Sequence, residues 1–192
     1  MTQASNLLRV ARTASGLTQA ELVRRSGVDK STVSLIESGQ RNPSVEKLDH
    51  LLRSTGHRVG VYPTSRSGSI EAGDIIGQWV AVGDEEAALR AFLRYSDNLA
   101  ATAGVDRVVL ASVEPPPTGS AVWDAALAAV TEYWLEQDRL PKPRWVDDEG
   151  RTLPEPTHLI INRWTSARAV RNVPASFRRH RILVDESTLQ SA

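Results

Sequence analysis

Cysteine is absent from all 192 residues. The fold therefore has no disulfide frame, no thiolate zinc site and no thiol nucleophile. That composition fits a reducing cytoplasm. No uninterrupted apolar run approaches the roughly 20 residues of a membrane helix. No basic stretch followed by an apolar core opens the chain, so neither a membrane span nor a secretion signal is expected. A Walker loop, a dinucleotide fingerprint and an HExxH pair are missing too. The four histidines, His50, His57, His158 and His180, lie far apart with no ligand spacing. Gly119-Ser120 has no Asp-x-Asp at a suitable distance, so a nucleotidyltransferase signature is not completed. Asp147-Asp148-Glu149 reads as a solvated turn. The expectation is a non-enzyme with no metal and no cofactor.

Net charge is also absent, with 23 basic against 23 acidic residues. The balance hides an asymmetry. Residues 1–63 carry nine Lys and Arg against five Asp and Glu, residues 64–140 five against twelve, and residues 141–192 nine against six. A basic N-terminal unit before an acidic middle points to two units with different partners.

What is present is concentrated between Leu17 and Ser44, LTQAELVRRSGVDKSTVSLIESGQRNPS. A first helix is expected from about Ser5 to Ala14, with Leu8 and Ala11 inward, ended by Gly16. Thr18 and Glu21 form a capping box for a second helix to about Ser26, with Ala20 and Leu22 or Val23 inward. Gly27 follows where a tight turn favours positive φ. Asp29 caps a third helix that stops at Gly39. Its Val33, Ile36 and Glu37 share one face. Ser31, Ser34, Leu35 and Ser38 lie opposite, with Lys30 at the tip. Small hydroxyls, one cation and one leucine form a face that can sit deep in a groove. There Lys or Ser meets base edges and an apolar carbon touches a thymine methyl.

The order LTQAEL, SGVDKSTVSLIESG and RNPS resembles the lambda-type phage repressors and XRE-type bacterial regulators over roughly residues 5–56. The resemblance implies a sequence-specific DNA-binding transcriptional regulator acting on a double-stranded operator. It assigns Gln19 to phosphate, Lys30, Ser31 and Ser34 to base reading, and Leu35 to a position often polar in the family. Arg12 and Glu37 match a structural ion pair. Arg41 and Asn42, just after the third helix, are expected beside the sugar–phosphate backbone. Phosphate contacts set position while base contacts set specificity.

Pro43-Ser44 opens a fourth helix with Val45, Leu48, Leu51 and Leu52 as its apolar stripe. Val59 and Val61 then alternate as in a short strand. Such a strand needs a partner, either in the C-terminal region or in a second subunit, which would give a homodimer. Thr64 to Gly73 reads as a Ser/Gly linker. Beyond it, helices are expected at Asp74–Val82, from Asp84 to about Thr102, and at Ala121–Asp138 with Trp123, Leu127, Val130 and Trp134 at helical spacing. Val105–Val113 reads as a strand or a short helix. His158 to about Asn172 and Pro174–His180 read as helical, and Ile182–Val184 as a strand. Arg178, Arg179 and Arg181 form a basic cluster around His180, suited to phosphate, to an acidic partner or to plain solvation.

EPPPTG before a Trp-bearing helix, then LPKPRW and PASFRRHRILVDESTL, resembles C-terminal regions found behind XRE-type domains in actinobacterial proteins. Those regions resemble the antitoxins of toxin–antitoxin modules. The resemblance implies binding to a cognate toxin protein, with no catalytic residue carried over. The expected fold is mainly α. It comprises a lambda-repressor-like helix-turn-helix bundle (1–56), a short strand and linker (57–76), and a mostly helical partner-binding domain (77–192). The function expected is an autorepressor acting as an antitoxin in the cytoplasm. The alternative is a repressor whose C-terminal domain senses a small molecule.

Overall fold

The computed structural model describes residues 3–62, 64–159 and 172–189. The chain divides into two compact units, Met1–Pro63 and Thr64–Ala192.

The first unit is a four-helix bundle: α1 (Gln3–Ala14), α2 (Gln19–Ser26), α3 (Lys30–Glu37) and α4 (Val45–Arg53). Each boundary has a local cause. Thr18 accepts from the Glu21 backbone N–H while the Glu21 carboxylate accepts from the Thr18 N–H, the full capping box. Asp29 and Ser44 cap α3 and α4 more simply, each side chain accepting one backbone N–H, from Thr32 and from Lys47. Gly27 ends α2 at φ +67°, a left-handed conformation that a side chain resists. Leu8, Ala11, Leu22, Val28, Val33, Ile36, Leu48, Leu51 and Leu52 make the core. Two expected core positions differ. Ala20 is exposed, because Gln19 and Leu22 take the inward side of α2. Val45, the first residue of α4, is exposed beyond the reach of the apolar cluster. The expected strand at Val59–Val61 is not formed, since the described chain offers it no partner.

The second unit holds α5 (Ser69–Ala81), α6 (Glu85–Ala100), α7 (Gly104–Ala111), α8 (Ala121–Gln137) and α9 (Ala175–Arg179). Strands β1 (Thr157–His158) and β2 (Ile182–Leu183) pair in parallel. Helix α8 is the centre, buried on all sides from Ala125 to Tyr133. Its aromatic neighbours bury ring area while satisfying each indole N–H: Trp123 donates to Glu85 (2.9 Å), Trp134 to Ser96 (2.9 Å) and Trp145 to the Ala111 carbonyl (3.0 Å). Arg107, 5% exposed, donates to the carbonyls of Thr102 and Trp134 and faces Asp138 at 3.1 Å. One guanidinium thus closes carbonyls left open near the ends of α6 and α8.

Helix α5 starts at Ser69, inside the stretch that reads as a linker. Gly73 packs where a Cβ would lie 2.9 Å from Pro115 Cβ, Pro116 Cδ and Pro116 O, and Gly77 faces Thr118 at 3.4 Å. These glycines, spaced one turn apart, let the EPPPT segment lie against the helix. The Val105–Val113 alternatives resolve as α7. The expected helix from His158 to Asn172 begins on a residue of β1, and residues 160–171 lie outside the described residues. Asp185 caps a final 3-10 turn at Glu186–Thr188.

The basic cluster is largely used internally. Glu132, 3% exposed, receives Lys142 at 2.7 Å, Arg179 at 3.1 Å and His180 Nε2 at 3.3 Å. The Nδ1 of buried His180 contacts the Arg151 carbonyl at 2.7 Å, and Arg181 donates to the Pro154 carbonyl. Burial pushes the Glu132 carboxyl upward. Hydrogen bonds from His180, Lys142 and Arg179 outweigh it and hold the group at about 2.

Candidate nucleic-acid interface

The α2–turn–α3 segment is held by three devices. Gly27 turns the chain, and Ser26 Oγ accepts from the Val28 N–H at 3.2 Å. His50 of α4 reaches the Ser26 carbonyl at 2.8 Å, tying the turn to the bundle. The third device is a brace under α3. Arg12 of α1 makes a two-pronged pair with Glu37 at 2.7 and 3.1 Å, and its other nitrogen donates to the Leu17 carbonyl at 2.7 Å. Glu37 is 6% exposed and Arg12 is mostly covered. The forked geometry and extra donor offset the desolvation that such a pair incurs.

With its inner side fixed, α3 turns Lys30, Ser31, Ser34, Leu35 and Ser38 to solvent and buries Thr32, Val33, Ile36 and Glu37. Leu35 is 37% exposed. The outward face has the chemistry of a groove-reading surface: short hydroxyls, one apolar carbon cluster and a cation at the N-terminal tip.

Two of these groups are pre-oriented. The Ser31 hydroxyl donates to the Asp29 carboxylate at 2.6 Å, so its oxygen presents lone pairs outward. The same bond, with donors from Thr32, holds the Asp29 carboxyl well below the usual carboxylate range. Arg41 is exposed, yet its guanidinium donates to Thr32 Oγ1 at 3.3 Å and its backbone N–H to the Leu35 carbonyl at 3.0 Å. Its charge is therefore carried close to the end of α3. Asn42 beside it is exposed.

Gln19, expected at phosphate, is half-buried at the start of α2. Its amide nitrogen donates to Glu37 at 2.7 Å, joining Arg12 in the brace. Asp29, expected as the cap of α3, also positions Ser31, and Thr32 is the positioning group that the sequence reading passed over. Asp at an N-cap, Ser two residues on and Thr three residues on is the spacing that could have indicated them.

Residues 3–57 match the family model of a helix-turn-helix domain. No curated protein and no solved structure matched the chain. The match, the capped α2–α3 pair and the outward face of α3 together identify residues 3–57 as a helix-turn-helix domain, which supports a DNA-binding regulator. Among the described residues no helix is long and apolar enough to cross a membrane.

Proposed function

We propose that the chain is a sequence-specific autorepressor that binds its operator as a homodimer and acts in the cytoplasm as the antitoxin of a toxin–antitoxin pair. The outward face of α3 carries the DNA half of this reading. Ser31, Ser34 and Leu35 read bases, Lys30 reaches base or phosphate at the tip, and Arg41 and Asn42 grip the backbone. Gln19 acts from behind, through Glu37.

The second unit binds the toxin, by contact and without catalysis. Its sequence likeness to antitoxin C-terminal regions is the main support. Its surface suits the role: Trp79 and Val82, three residues apart at the end of α5, are 41% and 71% exposed. Large side chains left in water beside an acidic stretch are the material of a protein interface. Co-expression with the product of the neighbouring reading frame tests this. A stable complex with the full chain, and growth arrest when that product is expressed alone, are expected. A neighbouring product that is harmless and does not bind overturns the antitoxin role.

A small-molecule sensor is the second reading. It rests on a groove lined by Ser67, Ile75, Arg94, Tyr95 and Asn98. The groove is shallow, with a cavity volume of about 10 Å³, far below the ~300 Å³ at which ligand pockets usually begin, which places this reading second. A metabolite that raises the melting temperature of the full chain, with no protein partner, would reverse the order.

A further inference from the structure

The stretch after α4, Arg58-Val59-Gly60-Val61-Tyr62, ends the first unit with its apolar groups in water. Val61 is 95% exposed, Tyr62 50% and Val59 39%. It forms no strand within the described chain. A Cβ on Gly60 would lie 3.5 Å from the Tyr62 ring, so residues 60 and 62 share a face, as alternate residues of an extended strand do. The Val59 N–H is taken by the Asp49 carboxylate of α4 at 3.2 Å. Backbone N–H groups along a strand point alternately to its two sides. With Val59 committed to its own helix, an extended backbone here would turn the N–H groups of Arg58, Gly60 and Tyr62 to the open side. Among the described residues they donate no backbone hydrogen bond.

We infer that this edge pairs with the same edge of a second copy, antiparallel, about a two-fold axis through Gly60. The inference rests on the dimeric reading above and specifies its register. The sequence is complementary to itself about that residue. Gly60 meets Gly60 of the second copy as a hydrogen-bonded pair. Val59 then lies opposite Val61 as a non-hydrogen-bonded pair, the type in which side chains come closest. On the other face Arg58, whose side chain is 70% exposed, lies opposite Tyr62, placing a cation against an aromatic face. A one-residue slip would put Val61 opposite Gly60 and lose both matches. Asp49 anchors the strand to α4 and faces Arg58 at 3.5 Å.

The chain has no cysteine of its own, so single cysteines report the register cleanly. The Val59→Cys and Val61→Cys full-length chains are oxidised separately and then after mixing. Opposed residues lie about 4.5 Å apart between Cα atoms, within disulfide reach, whereas like residues lie beyond the roughly 7 Å limit. Cross-linked dimers are expected only from the mixture. Cross-linking by Val61→Cys alone, or none from any sample while the chain sediments as a dimer, overturns the register and leaves the dimeric regulator intact. A third chain, Val61→Asp, should sediment as a monomer with unchanged helical content and lose roughly 100-fold in operator affinity. A wild-type chain that sediments as a monomer yet binds one operator site tightly overturns the dimer itself and leaves DNA binding standing.

Discussion

At the scale of single residues, the small side chains proposed to read DNA and the larger ones that hold α3 in place are separate sets. Ser31 and Ser34 are short enough to leave the groove wall of α3 flat, and Asp29 fixes the Ser31 hydroxyl. Replacing Ser34 with Phe should abolish discrimination between operator and unrelated DNA while leaving weak, salt-sensitive binding, checked by competitive titration against both. Arg41→Ala should weaken binding to all sequences alike and reduce the slope of log K against log salt by about 0.9, one phosphate's share. Glu37 is different: it receives Arg12 and Gln19 in a nearly closed site. Glu37→Ala leaves Arg12 unpaired and should lower the stability of the first unit by about 3 kcal/mol in denaturant titration. Restoring an acceptor with Glu37→Gln should recover only part of that loss.

At the scale of elements, glycines divide by the work they do. Gly27 is needed for its backbone, and Gly27→Ala at φ +67° should cost about 1 kcal/mol. Gly73 is needed for its missing side chain. Gly73→Ala should destabilise the second unit by about 1–3 kcal/mol, because Pro115 and Pro116 stand 2.9 Å from the added carbon. This difference also explains what the sequence made legible. Thr18, Gly27, Asp29, Gly39 and Ser44 are local signals, so the helices of the first unit could be placed from composition and spacing. Gly73 is a long-range signal: its meaning depends on a proline loop some forty residues onward, and in isolation it reads as linker. Val45 failed for a related reason, since helical spacing gives a face but not where the bundle ends, and Ala20 failed because Gln19 and Leu22 take the inward side of α2. Among the residues proposed to read DNA, exposure followed from the pattern of α3. The commitment of Gln19 to Glu37 did not, because it depends on how α2 and α3 pack.

At the scale of the whole molecule, the two units carry different chemistry. The second is centred on a buried carboxylate held by Lys142 and Arg179 and contacted by His180. The Glu132 carboxyl lies at about 2 in the folded chain against 4.5 for the free group. Its stabilising contribution is complete above about pH 4.5 and is lost as pH falls toward 2, on the order of 3 kcal/mol in all. Glu132→Gln should lower stability at neutral pH and flatten this acid limb, read from denaturant midpoints of the second unit across pH 2–6. An unchanged acid limb would assign acid sensitivity to other carboxylates.

The first unit carries the central claim, that the outward face of α3 reads DNA sequence. The most direct measurement is selection of bound sequences from a random DNA pool by the wild-type chain and by its Ser31→Phe and Ser34→Phe variants, at one fixed salt concentration. The account predicts a single enriched site for the wild type. It also predicts loss or change of that preference in each variant, at positions one groove face apart. The same enriched site recovered by all three chains would contradict it.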